Sequence, residues 1–376
     1  MYFELTEENK MIKKLARDVS EKYIAPSVRE RDEEERFDRA LFDIIASFGF
    51  QGIPYPEEYG GCAGDYLSYI LAIEEIAKVD VTLCMPIGGG GLGGLPIYMY
   101  GTEEQKQKYL RQVLEGLTLC GFALTEHSAG SDPSALQTTA VFDGDCYVLN
   151  GTKCFISNDA DIYLVMAVTD RSKGTRGISC FIIEKGTPGF TLGKREHKMG
   201  LRSAVTTELI LQDVRIPPGN LLGKEGDGFK ICMQTLDTGR IGCAAQAIGI
   251  AEAALNHAVK YAKERVQFGK PIASNQGVSF MLADMATKIE GARLLCYKAA
   301  CLKQNGKPFG KIAAMAKLAC SDVAMSVTTD AVQVLGGYGY SREYPVERLM
   351  RDAKVHQIFE GTNQIQRIVI SSQLLR

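Results

Sequence analysis

Residues 120–214 alternate apolar and polar side chains in short runs, and they lie between two stretches with helical spacing. Runs such as 162–165 and 178–182 are rich in β-branched and aromatic residues, which is typical of strands. Asp143-Gly144 separates the first two runs and predicts a hairpin turn. Many short strands at this spacing predict a small barrel or sandwich in the middle of the chain.

The flanking stretches predict helices. Thr6 can cap a first helix, and apolar residues then recur at i, i+3, i+4 and i+7 over residues 12–23 until Pro26 can interrupt them. Shorter helices are expected at 67–77 and 103–114. Beyond the strands, four long segments rich in Ala, Leu, Met, Lys and Gln predict an antiparallel bundle. These segments are residues 236–265, 278–304, 312–335 and 346–370.

The chain therefore reads as an α+β protein of three domains. An N-terminal α-helical domain is expected over residues 1–118, a middle β domain over 119–224 and a C-terminal four-helix-bundle domain over 225–376. A length of 376 residues suits two or three domains, each large enough to bury its own core.

Composition argues against several classes of function. The net charge is −2 and no basic stripe stands out, so nucleic acid is not an expected partner. Eleven scattered cysteines without a CxxC pair indicate free thiols in a reducing compartment, and four widely spaced histidines indicate no metal site. The N-terminus resembles neither a signal nor a transit peptide, and no uninterrupted apolar run reaches about 18 residues. A cytoplasmic protein that does not enter a membrane is expected.

The glycine run, residues 88–94, matches a dinucleotide-binding GxGxxG at Gly88, Gly90 and Gly93. A nicotinamide-dependent oxidoreductase is therefore one alternative. However, Pro96 follows closely, and no alternating series of strands and helices comes after the run, as a doubly wound sheet requires. The other interpretation is a segment thinned of side chains so that something packs close to its backbone.

Two further segments can carry chemistry. Residues 122–132 crowd hydroxyls and backbone-flexible residues, which can bond to flavin or phosphate oxygens or simply form a capped turn. Glu360 lies between apolar residues and Gly361. A carboxyl in such surroundings is a candidate general base with a raised pKa, although a solvated glutamate at a helix end has the same pattern.

Taken together, these segments resemble the acyl-CoA dehydrogenase family over essentially the whole chain, most closely its bacterial short-chain, butyryl-CoA branch. The motifs stand in the family's order: FALTEHSAGSD from Phe122, GTKCFISN, DVRIPPGNLLG, LDTGRIGCAAQAIGIAEAAL, RVQFGKPI, and a last segment that contains FEGTNQIQ. The resemblance implies a helical N-terminal domain, a middle β domain and a C-terminal four-helix bundle. It also implies FAD as cofactor, an acyl-CoA substrate, an electron-transferring flavoprotein as partner and a homotetramer.

The family's functional residues carry over to this chain by their motifs. Glu360 corresponds to the catalytic base. Asp237, Arg240, Ser131 and Gly361 correspond to substrate-binding residues. The cofactor-binding residues would be Phe122, Leu124, Thr125, Gly130, Ser131, Phe155, Ser157, Arg265, Phe268, Gln276, Gln333, Gly336, Gly337, Thr362 and Gln364, of which Arg265 and Gln276 would reach a neighbouring subunit's FAD.

The implied chemistry is the α,β-dehydrogenation of an acyl thioester, or the reverse reduction of an enoyl thioester. Glu360 would take the α-proton while the β-hydride goes to flavin N5. One branch of the family places its base on the LDTGR helix, where this chain has Gly239, so Glu360 is the only base at either position. A non-catalytic helical binding subunit is the alternative from another class, and the retained Glu360 argues against it.

Two positions depart from the family pattern. His127 stands where proline is usual, and the glycine run replaces ordinary side chains that line the acyl pocket. A wall of glycines predicts a wider pocket that admits a bulky or aromatic acyl group. If the backbone instead moves inward and refills the space, the pocket stays suited to a short chain.

Overall fold

The computed structural model describes residues 4–88 and 90–375, in which helices flank a middle sheet in the predicted order. Residues 1–3, Gly89 of the glycine run and Arg376 lie outside the described residues. Thr6 caps the first helix as predicted, since its side chain accepts a hydrogen bond from Asn9 N.

Among the described residues of the N-terminal part, the regular elements are α-helices joined by short 3-10 and π-helical turns. The α-helices are α1 (Glu7–Val19), α2 (Val28–Glu33), α3 (Arg39–Ala46), α4 (Tyr66–Asp80), α5 (Cys84–Ile87), α6 (Leu95–Tyr100), α7 (Glu103–Gln105) and α8 (Arg111–Leu114). Most of the glycine run forms a π-helical turn at Gly90–Gly94, between α5 and α6. The element before the run is a helix rather than a strand, which does not fit a dinucleotide-binding fingerprint.

The middle part is an eight-stranded sheet. Its strands are β1 (Cys120–Ala123), β2 (Thr139–Phe142), β3 (Tyr147–Ser157), β4 (Ile162–Val168), β5 (Ile178–Glu184), β6 (Phe190–Arg195), β7 (Thr206–Ile216) and β8 (Leu221–Leu222). Their order is β6-β7-β3-β2-β4-β5-β8, with β1 parallel to β4. The predicted turn at Asp143-Gly144 joins β2 to β3, with Gly144 at φ +112°. Every residue of β4 is buried, so this strand forms the centre of the sheet.

The C-terminal part is the helical bundle. It comprises α9 (Gly228–Glu264), a hairpin of β9 (Val266–Gln267) and β10 (Lys270–Pro271), and then α10 (Gln276–Gln304), α11 (Gly310–Leu335), α12 (Val346–Val355) and α13 (Asn363–Leu374). α4 crosses α9 at close range, because a Cβ atom on Gly249 would lie only 2.4 Å from the carbonyl oxygen of Glu74. The N-terminal helices therefore pack directly against the bundle.

One helix prediction is wrong. The segment 346–370 was expected to be continuous, but it divides into α12 and α13 at residues 356–362. The break contains Glu360 and Gly361, which both have positive φ. A chain with such backbone angles cannot continue a right-handed helix, and Thr362 starts the next one as its N-cap.

The segment Gly310–Tyr340 is long and apolar enough, by length and composition alone, to cross a membrane. In the structure its helical part is α11, which packs against α9 and α10 inside the bundle and has twelve buried residues. Its apolar character is therefore accounted for by the protein core. All eleven cysteines are free thiols, and eight of them are buried.

Candidate active site

The Glu360 turn, residues 356–362, reverses the chain between α12 and α13. Glu360 and Gly361 have left-handed backbones, with φ of +56° and +83°. A glutamate seldom adopts such an angle, and it persists only where the surroundings hold it. Thr362 Oγ1 accepts a hydrogen bond of 3.3 Å from Ile365 N and so fixes the start of α13. The carboxyl group is thus presented by a strained turn, and not on a helix face.

Two fully buried side chains hold this turn. Lys317 Nζ, from α11, donates to the carbonyl oxygen of Gly361 at 2.7 Å and to Oδ1 of Asn363 at 3.0 Å. Gln366 Nε2 donates to the carbonyl oxygens of Glu360 at 3.1 Å and Gly361 at 2.8 Å. Burial lowers the pKa of Lys317, so its ammonium needs these oxygen partners. The carbonyl oxygens of Glu360 and Gly361, the two residues with left-handed backbone angles, are therefore fixed by buried donors.

The Glu360 carboxyl group is enclosed and unpaired. Within the described residues, its buried Oε2 has no hydrogen-bond partner, and the backbone N–H of Glu360 finds no acceptor either. Burial raises the pKa of Glu360 to about 7, although the positive charges of Arg240 and Lys317 act in the opposite direction. A carboxyl group with this pKa can take up a proton near neutral pH, as a general base must.

Gly239 of α9 makes room for this carboxyl group. A Cβ atom at that position would lie 2.6 Å from Glu360 Oε2 and 2.9 Å from Leu92 Cδ2. Any larger residue would displace the carboxylate. The glycine that cannot act as a base is therefore also the residue that allows Glu360 to occupy its place.

A narrow cavity, the Glu360 cavity, begins at this carboxyl group. Its volume is about 40 Å³, and it runs between α4, α9 and the glycine run. Its lining residues are Tyr66, Tyr69, Ile73, Cys84, Met85, Gly88, Gly91, Leu92, Thr238, Gly239, Gly242, Cys243, Gln246, Phe359 and Glu360.

The glycines of the run serve different purposes. A Cβ atom on Gly93 would lie 2.5 Å from Cys120 Cβ, and one on Gly88 would lie 2.8 Å from the carbonyl oxygen of Cys84. These two positions need glycine for close packing. Gly91 has space, because a Cβ atom there would first meet the hydroxyl of Tyr69 at 3.5 Å.

Asp237 and Arg240, which the resemblance assigns to substrate, form an ion pair on α9. Arg240 Nη1 donates to Asp237 Oδ1 at 2.5 Å, and the arginine is 5% exposed. Burial raises the pKa of Asp237, while Arg240 opposes the rise. Arg240 Nε is buried and has no partner among the described residues. This arginine therefore keeps a donor free beside Glu360. Ser131, the other substrate-assigned residue outside the Glu360 turn, lies exposed on the loop after β1.

The sheet opens between β1 and β3. β1 pairs with β4 along one edge, and β3 pairs with β2 only over residues 147–150. The facing edges of β1 and of residues 151–157 lack a ladder, although Cys154 N donates to the carbonyl oxygen of Thr125 at 2.9 Å. Unpaired strand edges offer N–H and C=O groups to a ligand. The flavin-assigned residues Phe122, Leu124, Thr125, Phe155 and Ser157 lie along these two edges or directly after β1.

A buried ion pair fastens the loop that follows β1. Lys153 Nζ donates to Glu126 Oε1 at 2.8 Å and to the carbonyl oxygen of Leu124 at 3.2 Å. Glu126 also accepts bonds from both the N–H and the hydroxyl of Thr138. Burial alone would raise the pKa of Glu126, but Lys153 and these hydrogen bonds hold it below its usual value. The loop therefore has a fixed course as far as Gly130, around which a Cβ atom would meet only open space.

The remaining assigned residues lie elsewhere on the chain. Arg265, Gly336 and Gly337 line one open groove of about 710 Å³. Phe268 is 98% exposed on the β9–β10 hairpin, Gln276 begins α10 and Gln333 lies in α11. Thr362 and Gln364 line a further groove of about 400 Å³. None of the three cavities shares a lining residue with another, so one chain does not gather the predicted cofactor residues into a single site.

Several residues of the site carry no recognisable signal in the sequence. Lys317 stands in an alanine-rich helix, where a lysine is ordinarily exposed. Gln366 and Lys153 also look like surface residues. Tyr66 and Tyr69 have the i, i+3 spacing of any helix face. Only the folded chain brings them to Glu360, to the sheet opening and to the cavity wall.

Three models of known protein families match this chain, one for each of its three parts. The family model for the acyl-CoA dehydrogenase N-terminal domain matches residues 6–117, that for the middle domain 121–214 and that for the C-terminal domain 226–375.

Individual relatives match over the full length. The chain is 55% identical to the butyryl-CoA dehydrogenase of Megasphaera elsdenii in its solved structure, with a TM-score of 0.99 and 100% of both chains covered. It is 59% identical to a chain in a structure that describes the electron transferring flavoprotein of Acidaminococcus fermentans, again with a TM-score of 0.99 and full coverage of both. It is also 48% identical to the caffeyl-CoA reductase-Etf complex subunit CarC of Acetobacterium woodii, over 100% of each chain.

Proposed function

The chain belongs to the acyl-CoA dehydrogenase family, and from this premise we propose that it dehydrogenates a short-chain acyl-CoA at its α,β bond with Glu360 as the base, or reduces the corresponding enoyl-CoA. One observation carries the proposal. The Oε2 of Glu360 is buried and has no partner among the described residues, the residue lines a narrow cavity, and the pKa of its carboxyl group is about 7. A carboxyl group so placed can exchange a proton with a substrate carbon from which water is excluded.

Glu360 supplies two functions in the proposed site. Its carboxylate removes the α-proton, and its free backbone N–H donates a hydrogen bond to the thioester carbonyl, where negative charge develops. Lys317 and Gln366 keep the turn in the geometry that both functions need. Leu92 and Phe359 line the cavity and help to keep water away from the α-carbon.

FAD is the cofactor, and when bound it supplies the acceptor that takes the β-hydrogen as hydride. The opening between β1 and β3 fits this group, because its strand edges have free backbone groups beside the hydroxyls of Thr125 and Ser157. Phe122, Leu124, Gly130, Ser131 and Phe155 would complete this part of the site. Thr362 and Gln364 would approach from the Glu360 turn.

The cofactor-assigned residues of the C-terminal part that lie before the Glu360 turn serve the FAD of a neighbouring subunit in this proposal. Arg265, Phe268, Gln276, Gln333, Gly336 and Gly337 lie apart from the Glu360 cavity. Phe268 is almost fully exposed, as expected of an apolar side chain that another subunit covers. A homotetramer that exchanges these residues between subunits accounts for both observations.

The coenzyme A portion would lie along α9, where Asp237 and Arg240 are held together. Ser131, which is exposed in the middle part, would contact the substrate as well. The cavity of about 40 Å³ supports the short-chain alternative. A water molecule needs roughly 10–15 Å³, so the space suits three or four chain atoms and is small for an aryl ring. Gly88 and Gly93 pack against backbone and β1, so these two positions add little volume to the cavity.

An electron-transferring flavoprotein is the proposed redox partner, and the two relatives whose descriptions include such a flavoprotein support this assignment. A cytoplasmic location is part of the same proposal. Either direction of the reaction uses the same groups, because a base that removes the α-proton also returns it.

An anaerobic titration of the purified protein tests the function. Butyryl-CoA and 3-phenylpropionyl-CoA are added separately while the oxidised-flavin band is followed. Butyryl-CoA is expected to bleach the band, and a Glu360→Gln variant is expected to bind the same ligand without bleaching. Bleaching by the aryl thioester alone would overturn the short-chain assignment. A protein that shows no flavin band after reconstitution with FAD would overturn the proposed function as a whole.

A further inference from the structure

Two tyrosines form part of the wall of the Glu360 cavity. Tyr66 and Tyr69 lie in the first turns of α4, three residues apart, with ring centroids separated by 5.6 Å. They are 8% and 4% exposed, and both line the cavity. The hydroxyl of Tyr69 lies beside the glycine run, because a Cβ atom on Gly91 would be 3.5 Å from it, an ordinary contact distance. The wall of the cavity therefore contains phenol groups as well as aliphatic side chains.

Neither phenol hydroxyl has a hydrogen-bond partner within the described residues. Other buried tyrosines are satisfied. Tyr109 donates to Glu184 at 2.7 Å, and Tyr163 accepts from Ala160 N at 2.9 Å. Two phenol hydroxyls without a protein partner, on residues that line one cavity, can donate a hydrogen bond to a ligand held there.

The charge of the cavity defines what that partner can be. Glu360 is the only residue among those lining it that carries a charge near neutral pH, since burial raises the pKa of both tyrosines and keeps them protonated. Lys303 Nζ stands 4.7 Å from the ring centroid of Tyr66 but does not line the cavity. A carboxylate on the acyl chain would therefore be desolvated without a cation, whereas a neutral oxygen would be matched by the two hydroxyls.

We propose that Tyr66 and Tyr69 select an acyl-CoA with a neutral oxygen at its fourth carbon, of which 4-hydroxybutyryl-CoA is the simplest representative. This inference rests on the proposed function. The chain of such a substrate has four heavy atoms beyond the thioester carbonyl, and the cavity holds about that number. The α-proton goes to Glu360 and the β-hydrogen leaves as hydride to FAD. The product is the 4-hydroxy-2-enoyl thioester, and the hydroxyl group takes no part in the reaction.

The test compares 4-hydroxybutyryl-CoA with pentanoyl-CoA, in which a methyl group replaces the terminal hydroxyl. Wild type, Tyr66→Phe and Tyr69→Phe are assayed as holoenzymes, and butyryl-CoA serves as the reference substrate. The hydroxy substrate is prepared immediately before use, because its hydroxyl can cyclise onto the thioester. Tyr109→Phe is the matched control, since it removes a buried phenol hydroxyl that lies outside the cavity.

Wild type is expected to favour the hydroxy substrate by about tenfold in kcat/KM, the contribution of one well-placed hydrogen bond. Tyr69→Phe is expected to lose most of this preference, Tyr66→Phe to reduce it, and Tyr109→Phe to retain it. A wild type that favours pentanoyl-CoA would overturn the inference, and so would Phe variants that keep the wild-type ratio, because water would then satisfy the hydroxyls. If butyryl-CoA itself fails to reduce the flavin, the proposed function fails; if only the preference is absent, this inference alone fails.

Discussion

Two parts of the wall of the Glu360 cavity, called its Glu360 end and its glycine end, are built on different principles. At one end the Glu360 turn has left-handed backbone angles and is held by Lys317 and Gln366, both fully buried. At the other end the glycine run meets α4, and the hydroxyls of Tyr66 and Tyr69 remain free. At the first end, buried hydrogen bonds fix one geometry of the turn. At the second end, polar groups and a small space remain available to a ligand.

This difference follows from what each end must do in the proposed reaction. Proton transfer needs a carboxylate placed to within a fraction of an ångström, so a strained turn with buried donors is useful there. Recognition of an acyl chain needs only the right volume and a few donors. Changes at the Glu360 end should therefore reduce the rate steeply, and changes at the glycine end should mainly alter stability or preference.

Glu360→Gln should have the largest effect. The amide is nearly isosteric but cannot accept the α-proton, so we expect kcat to fall by about 10²–10⁴-fold, the usual contribution of a general base. Rapid-mixing measurements of flavin reduction by butyryl-CoA would report this fall. Turnover within a few-fold of wild type would show that another group removes the proton.

The same variant should show what the buried acid costs the fold. The pKa of Glu360 is raised from its ordinary 4.5 to about 7. Its stabilising contribution is therefore present below pH 4.5 and is lost as pH rises through 7. We expect Glu360→Gln to gain stability relative to wild type between pH 6 and pH 8, by on the order of 2 kcal/mol. If the difference in melting temperature between Glu360→Gln and wild type is the same at pH 6 and at pH 8, the assigned pKa shift is contradicted.

Lys317→Met should have the next largest effect. Methionine fills similar space but leaves the carbonyl of Gly361 without one of its donors, so the turn should loosen. We expect kcat to fall by roughly 10–100-fold and stability by about 1–3 kcal/mol, the cost of unsatisfied buried groups. Lys288→Met, which removes an exposed lysine from α10, is the matched control.

A purely structural role for Lys317 would lower stability without changing how Glu360 titrates. Since the positive charge of Lys317 lowers the pKa of Glu360, its loss should move the pH midpoint of kcat/KM upward. An unchanged midpoint in a folded Lys317→Met protein would mean that this lysine does not act on the base.

The sequence predicts some features of the fold and of the Glu360 cavity and not others, because only some of them produce a local sequence pattern. The order of helices and strands and the hairpin turn at Asp143-Gly144 are visible because periodicity and turn chemistry are local. Glu360 was singled out by the resemblance of its FEGTNQIQ segment to the family. The break at residues 356–362 was missed, since the flanking segments have helical composition and only Gly361 and Thr362 interrupt them. The predicted domain boundaries at 118/119 and 224/225 stay a prediction.

The contacts that support the site are not local, and for this reason the sequence does not disclose them. Lys317 lies 44 residues before Gly361, and Lys153 lies 27 residues after Glu126. The sequence does not distinguish a buried lysine from an exposed one, and the partners of a buried lysine are known only from the packing of separate elements. The same holds for Tyr66 and Tyr69, whose free hydroxyls become meaningful once the cavity is seen.

The pH dependence of wild type gives a smaller but direct test of the Glu360 end. In dehydrogenation the carboxylate is the active form, so kcat/KM should rise by about tenfold per pH unit below the pKa and level off above it. The midpoint should lie near pH 7, because burial raises the pKa of Glu360 to about 7. Assays with butyryl-CoA from pH 5.5 to 9 would measure it. A profile that stays flat across this range would place the midpoint below pH 5.5, indicate a solvated carboxyl group and remove the main argument for this base.

The smallest effects are expected from two alanine substitutions within the glycine run. Gly93→Ala places a methyl group 2.5 Å from Cys120 Cβ in β1, so β1 or the turn must move, at a cost of about 1–3 kcal/mol. Gly91→Ala meets only the hydroxyl of Tyr69, at an ordinary 3.5 Å, so stability should hold while the added methyl narrows the cavity. Thermal unfolding, together with kcat/KM for acyl-CoA substrates from butyryl- to hexanoyl-CoA, distinguishes the effects of the two substitutions. If Gly91→Ala destabilises the protein as much as Gly93→Ala, the run is a packing device throughout. If it leaves stability intact and shifts the preference toward shorter chains, the glycine end sets substrate size at one position and packs at another.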